Sequence, residues 1–322
     1  MEIDSGPDPF APDDAQANAY KVGAIESVSR TFNLFFRKFG TYALVGLASA
    51  IYALIVVMTL LAILPPLDFE TLSAIINAQG DLVAIFTLLW EYQASTLATF
   101  LLILAILALI GTIYYTIIGG AATQIALDNY GAPNRGDFPS SISKAIGRAP
   151  ALILYQLFIV ILTVVLLLPG SIAIAPLFEL DPYNIDMAAL EAAMTGALLL
   201  LVGTVILFYI TIRLIPTIAV IMAEDVSIVE ALKRSFNLTS GNFLHLLGAR
   251  IVLAITIVVF SLVIEFALFF IPTGIVYAIT ALMLSAILLT SFDYIFTAVI
   301  YKDLKARKTV VETSEGSNQE WW

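Results

Sequence analysis

Long apolar stretches recur along the chain and alternate with shorter polar segments. Each stretch holds the roughly 20 mostly apolar residues that an α-helix needs to cross the hydrocarbon core of a bilayer. The six stretches cover residues 44–64, 100–126, 151–176, 196–223, 246–271 and 274–301. The pattern predicts an all-α fold, a polytopic membrane helix bundle with six transmembrane helices.

The composition agrees with this pattern. Hydrophobic residues make up 60% of the chain and charged residues 12%, and the mean hydropathy is +0.97, whereas a soluble domain of this length needs more polar surface. The acidic, proline-rich residues 1–14 are unlike the basic and then apolar start of a cleaved signal, so we expect no cleavage. Because cysteine is absent, disulfides, thiolate catalysis and cysteine-ligated metals are excluded.

The net charge of −10 conceals an uneven distribution. Thirteen of the fifteen lysine and arginine residues lie before the first predicted span, after the last, or in the connections between spans two and three and between spans four and five. The connections on the other side, residues 65–93 and 177–194, carry eight acidic residues and no basic one. Because cytoplasmic loops are enriched in lysine and arginine, this distribution predicts that both termini are cytoplasmic.

An internal repeat divides the chain into three units. Residues 25–34 match residues 229–238, with glutamate, arginine, phenylalanine, asparagine and leucine identical, and residues 144–149 form a fainter copy. Apolar and charged positions separate with helical spacing, and Ser227 and Glu230 have the spacing of a capping box. We predict amphipathic helices near residues 24–37, 140–149 and 227–239, each lying at the cytoplasmic interface and opening a unit of two spans.

The basic residues of these helices are candidate contacts for anionic lipid headgroups. They are Arg30, Arg37, Lys38, Lys144, Arg148, Lys233 and Arg234. The expected partner is therefore a lipid bilayer with anionic headgroups, and the sequence gives no reason to expect nucleic acid.

Two polar tails flank the predicted six-span domain of residues 21–308. Residues 1–20 form an acidic N-terminal tail and residues 309–322 a C-terminal tail, and both are poor enough in apolar residues to be disordered. The chain ends in Trp321 and Trp322, whose indoles favour the headgroup layer. The pair is either incidental or a tether that binds the inner leaflet or a protein partner.

Three charged residues, Arg213, Arg250 and Asp293, form a candidate polar cluster inside the predicted spans, roughly 10 to 16 Å from their cytoplasmic ends. Insertion scales assign about 2.5 to 3.5 kcal/mol to such a charge, so each needs a partner or water. One interpretation is an ion pair, most simply between Asp293 and Arg250, that fixes helix packing. The other is a cavity open to the cytoplasm in which Arg213 and Arg250 bind an anionic headgroup or solute.

Two prolines bear on the second interpretation. Pro216 should kink span four, and Pro169 should interrupt span three, because proline lacks the N–H that a helix requires. Transporters use broken helices to build their sites, although proline kinks occur in spans of every kind.

Signatures of catalysis are missing from the sequence. His245 is the single histidine, whereas a zinc site usually needs several histidine or cysteine ligands. The chain contains no phosphate-binding loop, dinucleotide fingerprint or nucleophile elbow. We therefore expect no enzyme activity, no catalytic residues, no cofactor and no metal.

Residues 223–243, with the sequence AEDVSIVEALKRSFNLTSGNF, resemble the hallmark segment of the glycerophosphoryl diester phosphodiesterase membrane-domain family and related uncharacterised prokaryotic six-span proteins. Residues 301–307, YKDLKAR, also fit the pattern of that family. The resemblance implies a six-span core in a prokaryotic cytoplasmic membrane. It implies no activity, because the soluble catalytic barrel that some members carry is missing here.

Two functions fit these observations. The first is a non-catalytic integral membrane module that organises lipids or partner proteins through its basic interfacial helices. The second is a transporter of a small solute or lipid that uses Arg213, Arg250, Asp293 and the kink at Pro216.

Overall fold

The computed structural model describes residues 20–63, 82–131, 135–175, 187–269 and 275–319, and within these ranges it contains helices and no strand. Six helices are long and apolar enough to cross a membrane. They are α2 (Phe39–Ile63), α3 (Leu82–Gly131), α5 (Ala149–Ile174), α6 (Met187–Arg213) together with its continuation α7 (Thr217–Glu224), α9 (Phe243–Leu268) and α10 (Ile275–Gln319). The predicted six-span helical bundle is confirmed, and the chain is a multi-pass membrane protein.

A short amphipathic helix precedes the first span of each of the three units. These helices are α1 (Ala24–Arg37), α4 (Phe138–Gly147) and α8 (Ile228–Thr239), within two residues of the predicted bounds. At the start of α8 the Ser227 side chain accepts the backbone N–H of Glu230 at 3.4 Å, as the capping motif predicts. Asp137 caps α4 in the same way, and hydrogen bonds from Ser140 lower the pKa of its carboxyl. Gly241 ends the turn after α8 with a φ of +77°, which a residue with a Cβ rarely adopts.

Span four is broken where the sequence predicts. Helix α6 ends at Arg213 and α7 begins at Thr217. Because Pro216 lacks an N–H and its ring crowds the carbonyl of Ile212, the chain tightens there, and that carbonyl instead accepts the N–H of Ile215 at 3.3 Å. The prediction for Pro169 was wrong, since α5 continues through it to Ile174. Proline removes only its own N–H from the helix, and a membrane span can continue past that one missing hydrogen bond.

The chain divides into two compact units. One consists of residues 52–113 and 162–205. Within it the Tyr52 hydroxyl donates to the Leu107 carbonyl at 2.6 Å, joining α2 to α3. A Cβ added at Gly196 would lie 2.8 Å from the backbone of Ile174, so α5 and α6 pack backbone against backbone.

The other unit consists of residues 1–51, 114–161 and 206–322, and its core contains the N-terminal helix. Helix α1 packs against α9 and α10. The ring of Phe292 on α10 lies 4.3 Å from that of Phe32 and 4.6 Å from that of Phe35. Leu34 and Phe35 are almost completely buried. The apolar face of α1 therefore packs on protein, where the sequence suggested a helix resting on lipid.

The last helix extends beyond its predicted end. Residues 309–319 were expected to be disordered, but α10 continues to Gln319. Extending a helix that a long apolar span has already nucleated costs much less than starting a new one. The tail of residues 1–19, the connections around Asp81 and Asn184 that we predict to be external, and Trp321 with Trp322 lie outside the described residues.

Candidate functional site

Arg250 and Asp293 form an ion pair between α9 and α10. Arg250 is on the second turn of α9, and Asp293 lies a little over two turns before Tyr301 on α10. The pairing predicted as the simpler of the two interpretations is confirmed. The side chains keep 40% and 52% of their surface exposed, so the pair is not sealed inside the bundle.

A cavity of about 400 Å³ lies beside this ion pair. It is bordered by the end of α6 and the broken segment before Pro216, and by α5, α7, α9 and α10. Its lining is mostly aliphatic and aromatic, and the ion pair, two threonines and two tyrosines supply its polar groups. The lining residues are Tyr155, Phe208, Thr211, Ile212, Ile215, Ile218, Arg250, Asp293, Tyr294, Phe296 and Thr297.

The break in span four shapes this cavity. Ile212 and Ile215 flank the tightened turn, and Ile218 follows on the first turn of α7. An unbroken helix would carry these side chains around its axis at about 100° per residue, and the proline turn changes that progression. The cavity thus depends on Pro216 and not only on the charged residues.

Arg213 does not join the other two charged residues and does not line the cavity. Its guanidinium donates to the Thr239 hydroxyl at 2.9 Å, to the Phe236 carbonyl at 2.7 Å and to the Tyr209 hydroxyl at 2.8 Å. The Ser235 hydroxyl donates to the Arg213 carbonyl at 3.0 Å, so both ends of the residue bind α8. The prediction that Arg213 belongs to a cluster with Arg250 and Asp293 was therefore wrong.

The geometry explains where Arg213 points. The break at Pro216 frees carbonyl groups at the end of α6, and the last turn of α8 also has carbonyls without helical partners. Arg213 and Ser235 satisfy groups at both helix ends. Arg213 carries a charge at membrane depth, and its contacts connect α6 to α8.

Among the seven predicted headgroup contacts, Arg30, Lys38, Arg148 and Arg234 bind other described parts of the protein. Arg30 donates to the Tyr130 hydroxyl at 2.7 Å and pairs with Glu26 at 2.8 Å. Lys38 donates to the carbonyl of Gly136 at 2.7 Å. The other two are Arg148, which pairs with Asp225, and Arg234, which pairs with Glu224 and Glu230.

The other three predicted contacts differ in exposure. Lys144 and Lys233 are exposed, whereas Arg37 is partly buried. Lys144 and Lys233 thus keep the accessibility that headgroup binding needs, while Arg30, Lys38, Arg148 and Arg234 hold separate segments of the chain together.

Asp303 forms a network that the sequence did not predict. Its side chain is completely buried and accepts the Val22 backbone N–H at 2.8 Å and the Arg307 guanidinium at 2.9 Å. The other carboxylate oxygen lies 2.9 Å from Nε2 of His245. Arg307 also donates to the Val22 carbonyl. Asp303 thus binds the segment before α1, α9 and the next turn of α10 together.

Glu224 forms a second network close to α8. It accepts the Tyr301 hydroxyl at 2.6 Å and pairs with Arg234 at 2.5 Å and Lys305 at 3.5 Å. Hydrogen bonds to Glu230 and Glu224 raise the pKa of the Arg234 guanidinium. The spacing of Asp303 and Arg307, four residues apart on a helix, was a sequence signal for one such pair. No local spacing connects Glu224 to Tyr301.

No protein-family model, curated protein or solved structure matches this chain. Among the described residues, no group of three or more histidine and acidic residues could hold a metal ion.

Proposed function

We propose that this protein is a non-catalytic module of a prokaryotic cytoplasmic membrane, with both termini inside, that organises lipid by holding a lipid molecule in the cavity beside Pro216. The cavity with its half-exposed ion pair is the observation that carries this proposal. The uneven distribution of basic residues supports the orientation. The motif in residues 223–243 supports membership in the membrane-domain family named above.

The chemistry of the cavity suits an amphipathic ligand. Its volume lies within the range of about 300 to 1,000 Å³ that small-molecule sites occupy. Phe208 and Ile215 offer apolar surface to an acyl chain, while Arg250 and Asp293 offer charge to a polar group. A soluble ion would gain little from so apolar a lining.

The exposure of the ion pair favours a ligand that enters from the side. Phe208 keeps 49% of its surface exposed, like the neighbouring charged pair. Half-exposed charges at membrane depth require water or a polar group, because hydrocarbon cannot solvate them. A lipid whose polar part reaches Arg250 and Asp293 would supply that group.

The test compares two tryptophan variants of the full chain. Ile215→Trp fills the cavity, whereas Ile255→Trp adds the same bulk on α9 at a position that is 60% exposed. We expect native mass spectrometry of protein extracted from its membrane to show a retained lipid in wild type and in Ile255→Trp, and its loss in Ile215→Trp. Equal lipid retention in all three proteins would refute the cavity as a lipid site.

The break in span four also favours the transporter as a second candidate function, since broken helices line the sites of many transporters. Proteoliposomes that contain fluorescent lipid separate the two. A static module leaves lipid exchange between leaflets at the rate of empty liposomes. Accelerated exchange that Ile215→Trp abolishes and Ile255→Trp preserves would establish transport instead.

A further inference from the structure

A second pocket, of about 230 Å³, lies between α8 and the distal part of α10. Arg234, Asn237 and Leu238 border it from α8, and Lys305, Lys308 and Thr309 border it from α10. Glu224 at the end of α7 completes the lining. We call this the α8–α10 pocket.

Cations exceed carboxylates around the α8–α10 pocket. Arg234 is bound on both sides by Glu224 and Glu230, so its charge is largely compensated. Lys305 lies 3.5 Å from Glu224, which it shares with Arg234, and stays 58% exposed. With Lys308, three cations therefore face the carboxylates of Glu224 and Glu230, and one positive charge is left over.

Lys308 supplies the excess charge. It lines the α8–α10 pocket and is partly buried. Within the part of the chain that the structure describes, no carboxylate lies within ion-pairing distance of it. A singly charged anion in the pocket would balance the local charge and could also accept a hydrogen bond from the Asn237 amide.

The position of the pocket relative to the bilayer indicates which anion the pocket binds. The apolar stretch of α10 ends near Tyr301, so Lys305 and Lys308 lie within about two turns beyond it, and α8 is a strongly amphipathic helix. Both features place the α8–α10 pocket at the level of the lipid headgroups. The abundant anion at that level is the phosphodiester of a lipid headgroup, which carries one negative charge. Soluble phosphate, whose singly charged form coexists with the doubly charged one near neutral pH, offers the same chemistry.

We propose that the α8–α10 pocket binds a singly charged phosphate group through Lys305, Lys308 and Asn237, with Arg234 and Glu224 holding the pocket in shape. The site is separate from the cavity beside Pro216 and uses none of its lining residues. Variants in one site leave the other site intact. A failure of this proposal can therefore be told apart from a failure of the proposal for the lipid cavity.

The experiment uses the full chain and the variants Lys308→Gln and Lys305→Gln, with Lys21→Gln as the matched control. Lys21 is an exposed lysine before α1 that does not line the pocket and is not among the predicted headgroup contacts. In the first arm, the proteins in phosphatidylcholine nanodiscs receive spin-labelled phosphatidylglycerol, and its immobilised fraction is measured. In the second arm, inorganic phosphate is titrated onto detergent-solubilised protein and followed by phosphorus NMR.

We expect the affinity for phosphatidylglycerol to fall about fivefold in Lys308→Gln, as for the loss of one lysine near an anionic headgroup, with a similar fall in Lys305→Gln. Lys21→Gln should bind like wild type. Phosphate binding that only the two pocket variants weaken, without a preference for phosphatidylglycerol, would assign the pocket to soluble phosphate. Pocket variants that match Lys21→Gln in both arms would overturn the proposal.

Discussion

The carboxylate of Asp303 accepts the backbone N–H of Val22 at 2.8 Å across 281 positions of the sequence. Val22 lies just before the first amphipathic helix, and Asp303 lies near the end of the last span. Arg307 completes the contact by donating to the Val22 carbonyl. The start of the first repeat is thus fastened to the end of the third, which explains how α1 comes to pack on α9 and α10.

Asp303→Ala should destabilise the protein by about 3 to 5 kcal/mol, the usual cost of removing one partner of a buried ionic network. The substitution leaves the Val22 N–H and the Arg307 guanidinium without their acceptor. Unfolding of the purified protein in mixed micelles measures this loss. The control is Glu26→Ala, which removes a half-exposed partner of Arg30 and should cost well under 1 kcal/mol. Equal losses of stability in the two variants would show that Asp303 does not hold the segment before α1 against α10.

The helical architecture could be predicted from the sequence because each helix is specified by residues that are close together in the chain. Apolar stretches as long as a bilayer specify spans, and Ser227 with Glu230 marks a helix start within four residues. Pro216 breaks its helix because its ring removes the backbone N–H and crowds the preceding turn. Hydropathy and capping do not depend on which helices become neighbours, and this is why α1, α4 and α8 begin and end close to the predicted bounds.

The partners of the charged residues needed the tertiary arrangement. Arg250 and Asp293 lie on consecutive helices, so their pairing was the simplest choice and proved correct. Arg213 was assigned to the same cluster by depth alone, yet depth does not specify the direction in which a side chain points. Asp303 is buried by segments that are distant in sequence, at the start of α1 and on α9. The residues next to Asp303 therefore give no indication of its burial.

Arg213→Lys should destabilise the protein without loss of lipid from the cavity beside Pro216. A lysine ammonium cannot reach the Thr239 hydroxyl, the Phe236 carbonyl and the Tyr209 hydroxyl with the geometry of a planar guanidinium. We expect a loss of about 2 kcal/mol, as for hydrogen bonds to a charged group. Unfolding in mixed micelles and native mass spectrometry of retained lipid give the two readouts. Loss of lipid at unchanged stability would show that Arg213 contributes to lipid binding.

Replacing both members of the Arg250–Asp293 pair should cost less than replacing either one. Each single variant, Arg250→Met or Asp293→Leu, leaves an unpaired charge at membrane depth, which costs about 2.5 to 3.5 kcal/mol on insertion scales. The double variant leaves none, so its stability should lie closer to wild type. A double-mutant cycle of unfolding free energies measures the coupling. Additive losses would show that the two charges are stabilised independently, by water or lipid.

Cysteine labelling should establish the orientation that the basic residues predict. The natural chain lacks cysteine, so single cysteines at Ser140, Ser240, Asp81 and Asn184 report without background. A membrane-impermeant maleimide should label positions 81 and 184 from outside intact cells and positions 140 and 240 only after permeabilisation. Labelling of Ser240→Cys from outside would reverse the proposed orientation.

Gly46→Ala should destabilise the protein although the change adds a single methyl group. A Cβ at Gly46 on α2 would lie 2.5 Å from the Ala286 carbonyl oxygen and 2.5 Å from the Ile287 Cα on α10. Both are backbone atoms, so they cannot turn aside as a side chain would, and the helices must separate. Such overpacking typically costs about 1 to 3 kcal/mol.

Gly248→Ala is the matched control because the nearest atom to its added Cβ, on Ala24, would lie at an ordinary 3.8 Å. Its thermal midpoint should be unchanged or slightly raised, since alanine favours helix more than glycine does. Thermal unfolding of both variants in one detergent makes the comparison. Equal midpoints for Gly46→Ala and Gly248→Ala would mean that α2 and α10 do not approach each other this closely in the membrane protein.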